Sequence, residues 1–250
     1  MSIEACAGLV ERGDADRFAA VMAAPVALRG RLFVLYAFNL EVARAPWVTK
    51  EPMIAEMRLQ WWRDIVAEAK PRAHEVAGPL HHVIHEAGLD VEVLDRLIGA
   101  RRWDVYADAF EDAAHFERYL DETAGGLMWL AAKASGAPDH AEQAARDFGW
   151  AQGLAGFLRA VPELESRGKI PLVDGRGEAV RALAEAGLSR IKAARRMRRD
   201  LGPAMLAGWQ SEALLRQVVA DPRVVSEGLM GLSEFQRRGR LAWGAVTGRW

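Results

Sequence analysis

The stretch Arg29-Gly30-Arg31-Leu32-Phe33-Val34-Leu35-Tyr36-Ala37-Phe38-Asn39-Leu40-Glu41-Val42-Ala43-Arg44-Ala45-Pro46-Trp47 decides how the whole chain is read. Its apolar residues recur at helical spacing, which predicts a helix over 26–45. Two other segments are read together with it, Arg58-Leu59-Gln60-Trp61-Trp62-Arg63 and Gly153-Leu154-Ala155-Gly156-Phe157-Leu158-Arg159-Ala160-Val161. Working outward, Ala, Leu, Glu and Arg dominate and no convincing strand is found. Helices are predicted over 2–12, 15–22, 26–45, 51–69, 74–87, 90–109, 114–135, 139–162, 176–186, 189–200, 203–208, 211–220 and 225–246. Gly136-Ala137-Pro138 and Gly202-Pro203 mark breaks. Asp14-Ala15-Asp16 and Pro138-Asp139 read as helix starts, since a short carboxylate accepts bonds from the free amides of a first turn.

The 250 residues are 51% hydrophobic and 27% charged, enough to bury a substantial core in one domain. Without an internal repeat or a flexible linker, a single all-α domain over 1–250 is expected, with Val173 to Glu185 the nearest thing to an insertion. A net charge of −1 gives no global attraction to nucleic acid, and none is expected as a partner. The single Cys6 excludes an internal disulfide, fits a reducing compartment and reads as an inert thiol. The first residues are acidic without a long apolar run, which predicts neither signal nor transit peptide. No window reaches the roughly 18 apolar residues of a membrane-spanning helix. A cytoplasmic protein, soluble or membrane-associated at the periphery, is expected.

In order and separation, the three quoted segments resemble the squalene/phytoene synthase family, and the resemblance covers most of the chain. It implies the α-helical isoprenoid synthase fold around a central cavity. It also implies an enzyme that joins two isoprenoid diphosphates, with Mg²⁺ held by aspartates on two facing helices. Each helix carries Asp-x-x-x-Asp, a spacing that sets two carboxylates about one turn apart on one face, where they share hard cations that bridge to a diphosphate. At the positions the resemblance matches to the first pattern this chain has Ala43, Arg44 and Trp47. At those matched to the second it has Gly156, Arg159, Ala160, Val161 and Leu164.

The expectation that follows is a catalytically degenerate relative that acts by binding, with no catalytic residue, no metal site and no cofactor. A further likeness supports it: Tyr36-Ala37-Phe38-Asn39-x-Glu41, Met57-Arg58-x-Gln60-Trp61-Trp62 and Leu158-Arg159-Ala160 resemble a branch of the family containing a mitochondrial assembly factor for respiratory complex I. That branch implies a respiratory-complex protein as partner. Two alternatives stay open. One is an active prenyltransferase using Mg²⁺, with Glu41, Glu163, Glu165 or the Asp104, Asp108, Asp112 stripe taking over. The other is a carrier for an isoprenoid or lipid.

Individual residues are read both ways. Tyr36, Phe38, Trp47, Trp61 and Trp62 are candidates to line a pocket, although ordinary core packing competes. Arg29, Arg44, Arg63 and Arg159 are candidates for anion binding, against internal pairing with Glu41, Glu56, Asp64 or Glu163. Gly125 and Gly126 resemble the family's small-residue motif, where a helix passes close to the pocket. His81, His82 and His85 lack the acidic helper and third ligand of a zinc site and read as surface. Asp104, Asp108 and Asp112, with Arg101, Arg102 and Arg118 nearby, read as an exposed charged face. Near the C-terminus, Arg190 to Arg199 form a basic stretch read as solvated. Arg237, Arg238, Arg240 and Arg249, interleaved with Phe235, Trp243 and Trp250, suit the surface of an anionic membrane.

Overall fold

The computed structural model describes residues 3–49 and 51–250. Among them the chain is helical nearly throughout, with no strand. The α-helices are α1 (Ile3–Gly13), α2 (Ala15–Ala23), α3 (Val26–Arg44), α4 (Pro52–Ala67), α5 (Ala77–Ala87), α6 (Val91–Ala100), α7 (Ala113–Leu120), α8 (Gly126–Ala134), α9 (Glu142–Ser166), α10 (Gly177–Ala194), α11 (Arg198–Leu201), α12 (Ser211–Ala220), α13 (Arg223–Ser226) and α14 (Glu234–Thr247).

Most boundaries follow from local chemistry. Asp14 caps α2 by accepting from the Arg17 amide at 2.9 Å, as read from the sequence. Asp112 does the same for α7 through His115 at 2.7 Å. Ser233 and Gln236 close a reciprocal capping box on α14, satisfying two amides that the first turn leaves free. Gly88 ends α5 at φ 58°, a left-handed geometry that costs glycine little.

Other boundaries depart from the sequence reading. The helix expected over 90–109 stops at Ala100 and tightens into a 3₁₀ segment, Arg101–Val105, in which Trp103 stacks on Phe110 with ring centroids 4.0 Å apart. The helix expected over 114–135 is interrupted by a π-helical turn, Asp121–Gly125. The predicted 176–186 and 189–200 merge into the continuous α10, packed on α9, so the supposed insertion is largely its first half. The predicted 225–246 divides into α13 and α14. Pro162 does not end α9, which continues to Ser166; a proline costs one backbone bond there, and Glu163 and Arg167 pair across that last turn. Residue 2, placed in the first predicted helix, lies outside the described residues.

The 25-residue α9 is the spine. It packs against α8, α10, α12 and the π turn, while α3 packs against α1, α2, α5 and α8. Phe38, Phe148, Trp150 and Leu154 are almost wholly buried between these layers, where an apolar side chain such as Phe or Leu contributes roughly 1.5–3 kcal/mol. Among the described residues, no helix is long and apolar enough to cross a membrane.

Candidate functional site

Helices α3 and α9 face one another across a cavity of about 350 Å³. Asn39 and Ala43 reach it from α3, with Trp47 just beyond the helix end. From α9 come Gln152, Gly153, Gly156, Phe157, Arg159, Ala160 and Leu164. Spacings of three and four residues put each set on one helical face. The wall is completed by the start of α2, the 3₁₀ segment, α7, the π turn and the turn before α12.

Of the six positions matched to metal ligands, Ala43, Trp47, Gly156, Ala160 and Leu164 line this cavity, and so does Arg159. Arg44 does not. It lies against α1, where a β-carbon on Gly13 would stand 2.6 Å from its guanidinium. No described group of three or more His, Cys, Asp or Glu side chains is placed to hold a metal. The side chains of the five lining residues carry no oxygen, so they do not fit Mg²⁺ as the resemblance would have it.

The aromatic candidates divide. Trp47 is at the cavity, while Tyr36, Phe38, Trp61 and Trp62 stand behind its wall. Phe38 meets Trp62 edge-on at 5.4 Å, and Trp62 meets Trp61 at 4.8 Å. Arg17 lies over the Tyr36 ring, 5.4 Å from its centroid, and burial pushes the Tyr36 hydroxyl up to about 12. Trp47 itself sits beneath Arg167 at 4.8 Å and Lys169 at 5.6 Å. Glu41 is half-buried outside the cavity wall. Gly125 and Gly126 are buried beside it, with Gly125 packed on the α9 backbone at Arg146. Arg29 donates to the Ala24 carbonyl at 3.0 Å.

The polar part of the wall was largely missed in the sequence. Asp14, Asp16, Arg17, Arg101, Asp104, Tyr119, Gln210 and Ser211 all line it. Arg17 pairs with Asp14 at 2.8 Å, Arg101 with Asp104 at 3.2 Å, and Arg159 with Asp16 at 3.9 Å. Asp104 therefore corrects the reading of an exposed stripe: it is 6% exposed and accepts from the Tyr119 hydroxyl at 3.0 Å. Burial pushes that hydroxyl well above its ordinary range. Asp108 and Asp112 are exposed and outside the cavity, because the chain leaves the helix after Ala100 and the four-residue repeat loses its common face. Lys169, also buried, donates to the Trp103 and Tyr106 carbonyls at 3.2 and 2.6 Å. One signal for this wall was available, since Asn39 is a lone amide at the end of the apolar run 32–38.

Elsewhere, Arg63 forms a two-pronged bond to Asp95 at 2.6 and 2.8 Å, a pair separated by 32 residues that the sequence reading did not include. Arg102 takes Glu56 at 3.0 Å. Glu163 is exposed and bonds Arg167, and Glu165 is exposed. The ring nitrogens of His81 and His85 approach to 3.1 Å without a third ligand. The basic stretch read as solvated is partly a clamp: Arg190 bonds Glu117 and Asp147, Arg195 bonds Glu212 and the Trp250 carbonyl. Trp250, expected in an interface, is instead buried edge-on against Phe148 at 4.4 Å.

The cavity between α3 and α9 lies within the part of the chain, residues 10–174, that matches the model of the squalene/phytoene synthase family. The chain belongs to that family. Among solved structures, this family member superposes on a ligand-bound dehydrosqualene synthase with a TM-score of 0.72 at 13% identity, covering 98% of this chain and 95% of the other. It superposes on squalene synthase HpnC from Alicyclobacillus acidocaldarius with a TM-score of 0.69 at 18% identity, covering 92% and 95%. The fold is thus the isoprenoid-synthase-like helical fold. In sequence, it is 33% identical over 178 residues to the complex I assembly factor 6 homolog of Drosophila melanogaster, covering 67% of this chain and 53% of that one. It is 29% identical over 169 residues to complex I assembly factor 6 of Homo sapiens, covering 66% and 51%. The chain spans about half the length of these relatives.

Proposed function

We propose that this protein is a non-catalytic member of its family that acts by binding, and that it assists assembly of a membrane-bound respiratory complex. The observation that carries the reading is the cavity lining: Ala43, Trp47, Gly156, Ala160 and Leu164 stand where the resemblance calls for metal ligands. Without bound cations, a site for two diphosphates meets electrostatic repulsion, and the arginines of the wall, Arg17, Arg101 and Arg159, already face aspartates. The names of the assembly-factor relatives support the choice of partner. Fold alone would not, because one fold carries many functions.

A surface for peripheral membrane contact lies on α14. Phe235, Ala242 and Val246 fall on one face at about 100° per residue, with Trp243 beside them, and Phe235 and Val246 are 88% and 87% exposed. Arg238 and Arg240 flank the stripe. Apolar side chains bordered by arginines suit an anionic lipid surface. The opposite face is held by Arg237 bonding Asp16 and by Gly244 against Leu206.

The competing reading is a prenyltransferase. Incubation with farnesyl or geranylgeranyl diphosphate and Mg²⁺ or Mn²⁺ distinguishes the two, and no diphosphate release is expected. A strain lacking the gene should show less assembled complex I, or another respiratory complex, on native gels while keeping its squalene, hopanoids and carotenoids. Turnover abolished by a chelator, or a lost isoprenoid with normal respiratory assembly, overturns the proposal.

A further inference from the structure

A second cavity, of about 440 Å³, forms where the segment after α10 meets α12 and α14, and it shares no lining residue with the cavity between α3 and α9. Four arginines line it, Arg195, Arg198, Arg240 and Arg249, against one acidic side chain, Glu212. That carboxylate is already taken, one oxygen by Arg195 at 2.5 Å and the other by Arg216 at 2.7 Å. Arg198 reaches the neutral carbonyls of Thr247 and Gly248, at 3.5 and 3.3 Å. The guanidinium groups of Arg240 and Arg249 have no partner among the described residues. Arg195 also holds the main-chain oxygen of Trp250 at 2.9 Å, and even with a carboxylate counted there the lining keeps an excess of positive charge.

Between these cations the walls are apolar, with Phe148, Ile191, Trp209 and Trp250 all buried. Like charges gathered in a concave site with low-dielectric walls repel one another and focus their field on what enters. An anion relieves that repulsion. Guanidinium forks arriving from separate segments suit the tetrahedral oxygens of a phosphate better than the two coplanar oxygens of a carboxylate. Trp243 indicates what the phosphate is attached to. It lines the cavity, is 61% exposed, and stands one turn from Arg240 on α14, beside the exposed Phe235 and Val246. A phosphate seated among the arginines therefore leaves its hydrocarbon part on that apolar stripe. We infer that this cavity binds the phosphate headgroup of an anionic membrane lipid whose hydrocarbon part meets α14. The inference rests on the peripheral-membrane reading of α14 and gives it a built headgroup site in addition to diffuse attraction.

Dihexanoylphosphatidylglycerol below its micelle concentration separates the cavity from the membrane. Titration calorimetry of the full chain at constant ionic strength compares it with dihexanoylphosphatidylcholine and with inorganic phosphate. The double variant Arg240→Ala, Arg249→Ala breaks no side-chain bond among the described residues. Arg238→Ala removes charge from the same helix outside the cavity, and circular dichroism checks that both variants fold. The phosphatidylglycerol should bind the wild type saturably, and phosphatidylcholine and inorganic phosphate roughly tenfold more weakly. The double variant should lose roughly tenfold or more, the scale of lost charge-assisted hydrogen bonds, while Arg238→Ala changes by no more than about twofold, as an exposed charge would. No binding of the soluble lipid, equal binding of the phosphatidylcholine, unchanged binding in the double variant or an equal loss in Arg238→Ala overturns the inference. Inorganic phosphate binding as tightly as the lipid also overturns it, since the site would then serve free phosphate. Co-sedimentation of the same proteins with phosphatidylglycerol vesicles keeps the two readings apart. Vesicles bound while the soluble lipid is not ends the cavity proposal alone, and neither bound ends the membrane reading of α14 with it.

Discussion

Gly149 of α9 and Met128 of α8 meet so closely that a β-carbon on the glycine would stand 2.5 Å from that of the methionine, and 2.5 Å from the Ala124 carbonyl oxygen. The same helix carries Gly153, whose β-carbon would collide with that of Ala124. This contact seats the π turn against α9 behind the cavity. A π turn inside an α-helix is a rare geometry, often found at functional sites, and here the glycines of α9 make room for it.

Gly149→Ala should therefore destabilise the protein by about 1–3 kcal/mol, since neither backbone nor methionine β-carbon can move aside cheaply. Gly156→Ala, two turns along the same helix with open space around it, should be neutral or stabilising by up to about 1 kcal/mol from helix propensity. Urea denaturation of the two variants checks the contrast, and equal losses would mean the close approach is not what constrains Gly149.

The buried group of Arg101, Asp104 and Tyr119 predicts coupled losses. Asp104→Ala leaves Arg101 without its carboxylate and should cost about 3–5 kcal/mol. Tyr119→Phe removes one bond to a charged acceptor, about 1.5–3 kcal/mol. Because both act on one network, the double variant should lose measurably less than the sum. Strict additivity in denaturant titrations would count against a shared network.

Cys6 is fully buried, its Sγ 3.6 Å from the Glu75 carbonyl. Burial, helped by the Glu75 carboxylate, raises its thiol from 9.0 to about 11. A folded-state value above the unfolded one stabilises the protein fully below pH 9, and that contribution is lost as pH rises through about 11. Relative to Cys6→Ala, the wild type should lose about 2–3 kcal/mol over this interval. Parallel stability curves for the two proteins between pH 8 and pH 11, in roughly half-unit steps, would refute the assignment.

Helix α14 should carry peripheral lipid binding. Replacing Phe235 and Trp243 with serine should remove most co-sedimentation with phosphatidylglycerol vesicles, and salt should weaken what the arginines contribute. Phosphatidylcholine vesicles should bind less. Identical, negligible binding to both kinds of vesicle would exclude this surface as a membrane contact.

The sequence by itself determined the helical class, many helix positions and the Asp14 cap of α2, because apolar period and capping depend on residues only a few places apart; the start read at Pro138-Asp139 opens a short 3₁₀ segment without a side-chain cap. The facing of 39–47 and 152–164 was legible too, through the resemblance of the two segments. What only the tertiary structure decided were contacts between distant residues: Arg63 with Asp95, Arg237 with Asp16, Trp250 under Phe148. The aromatics Tyr36, Phe38 and Trp62 turned toward the core, and Asp104 turned inward to Tyr119 and Arg101. A helical period names the residues sharing a face but not what that face meets. A buried charge gains its low cost from a partner that local sequence does not specify, so the polar wall of the cavity came into view only once the helices were packed.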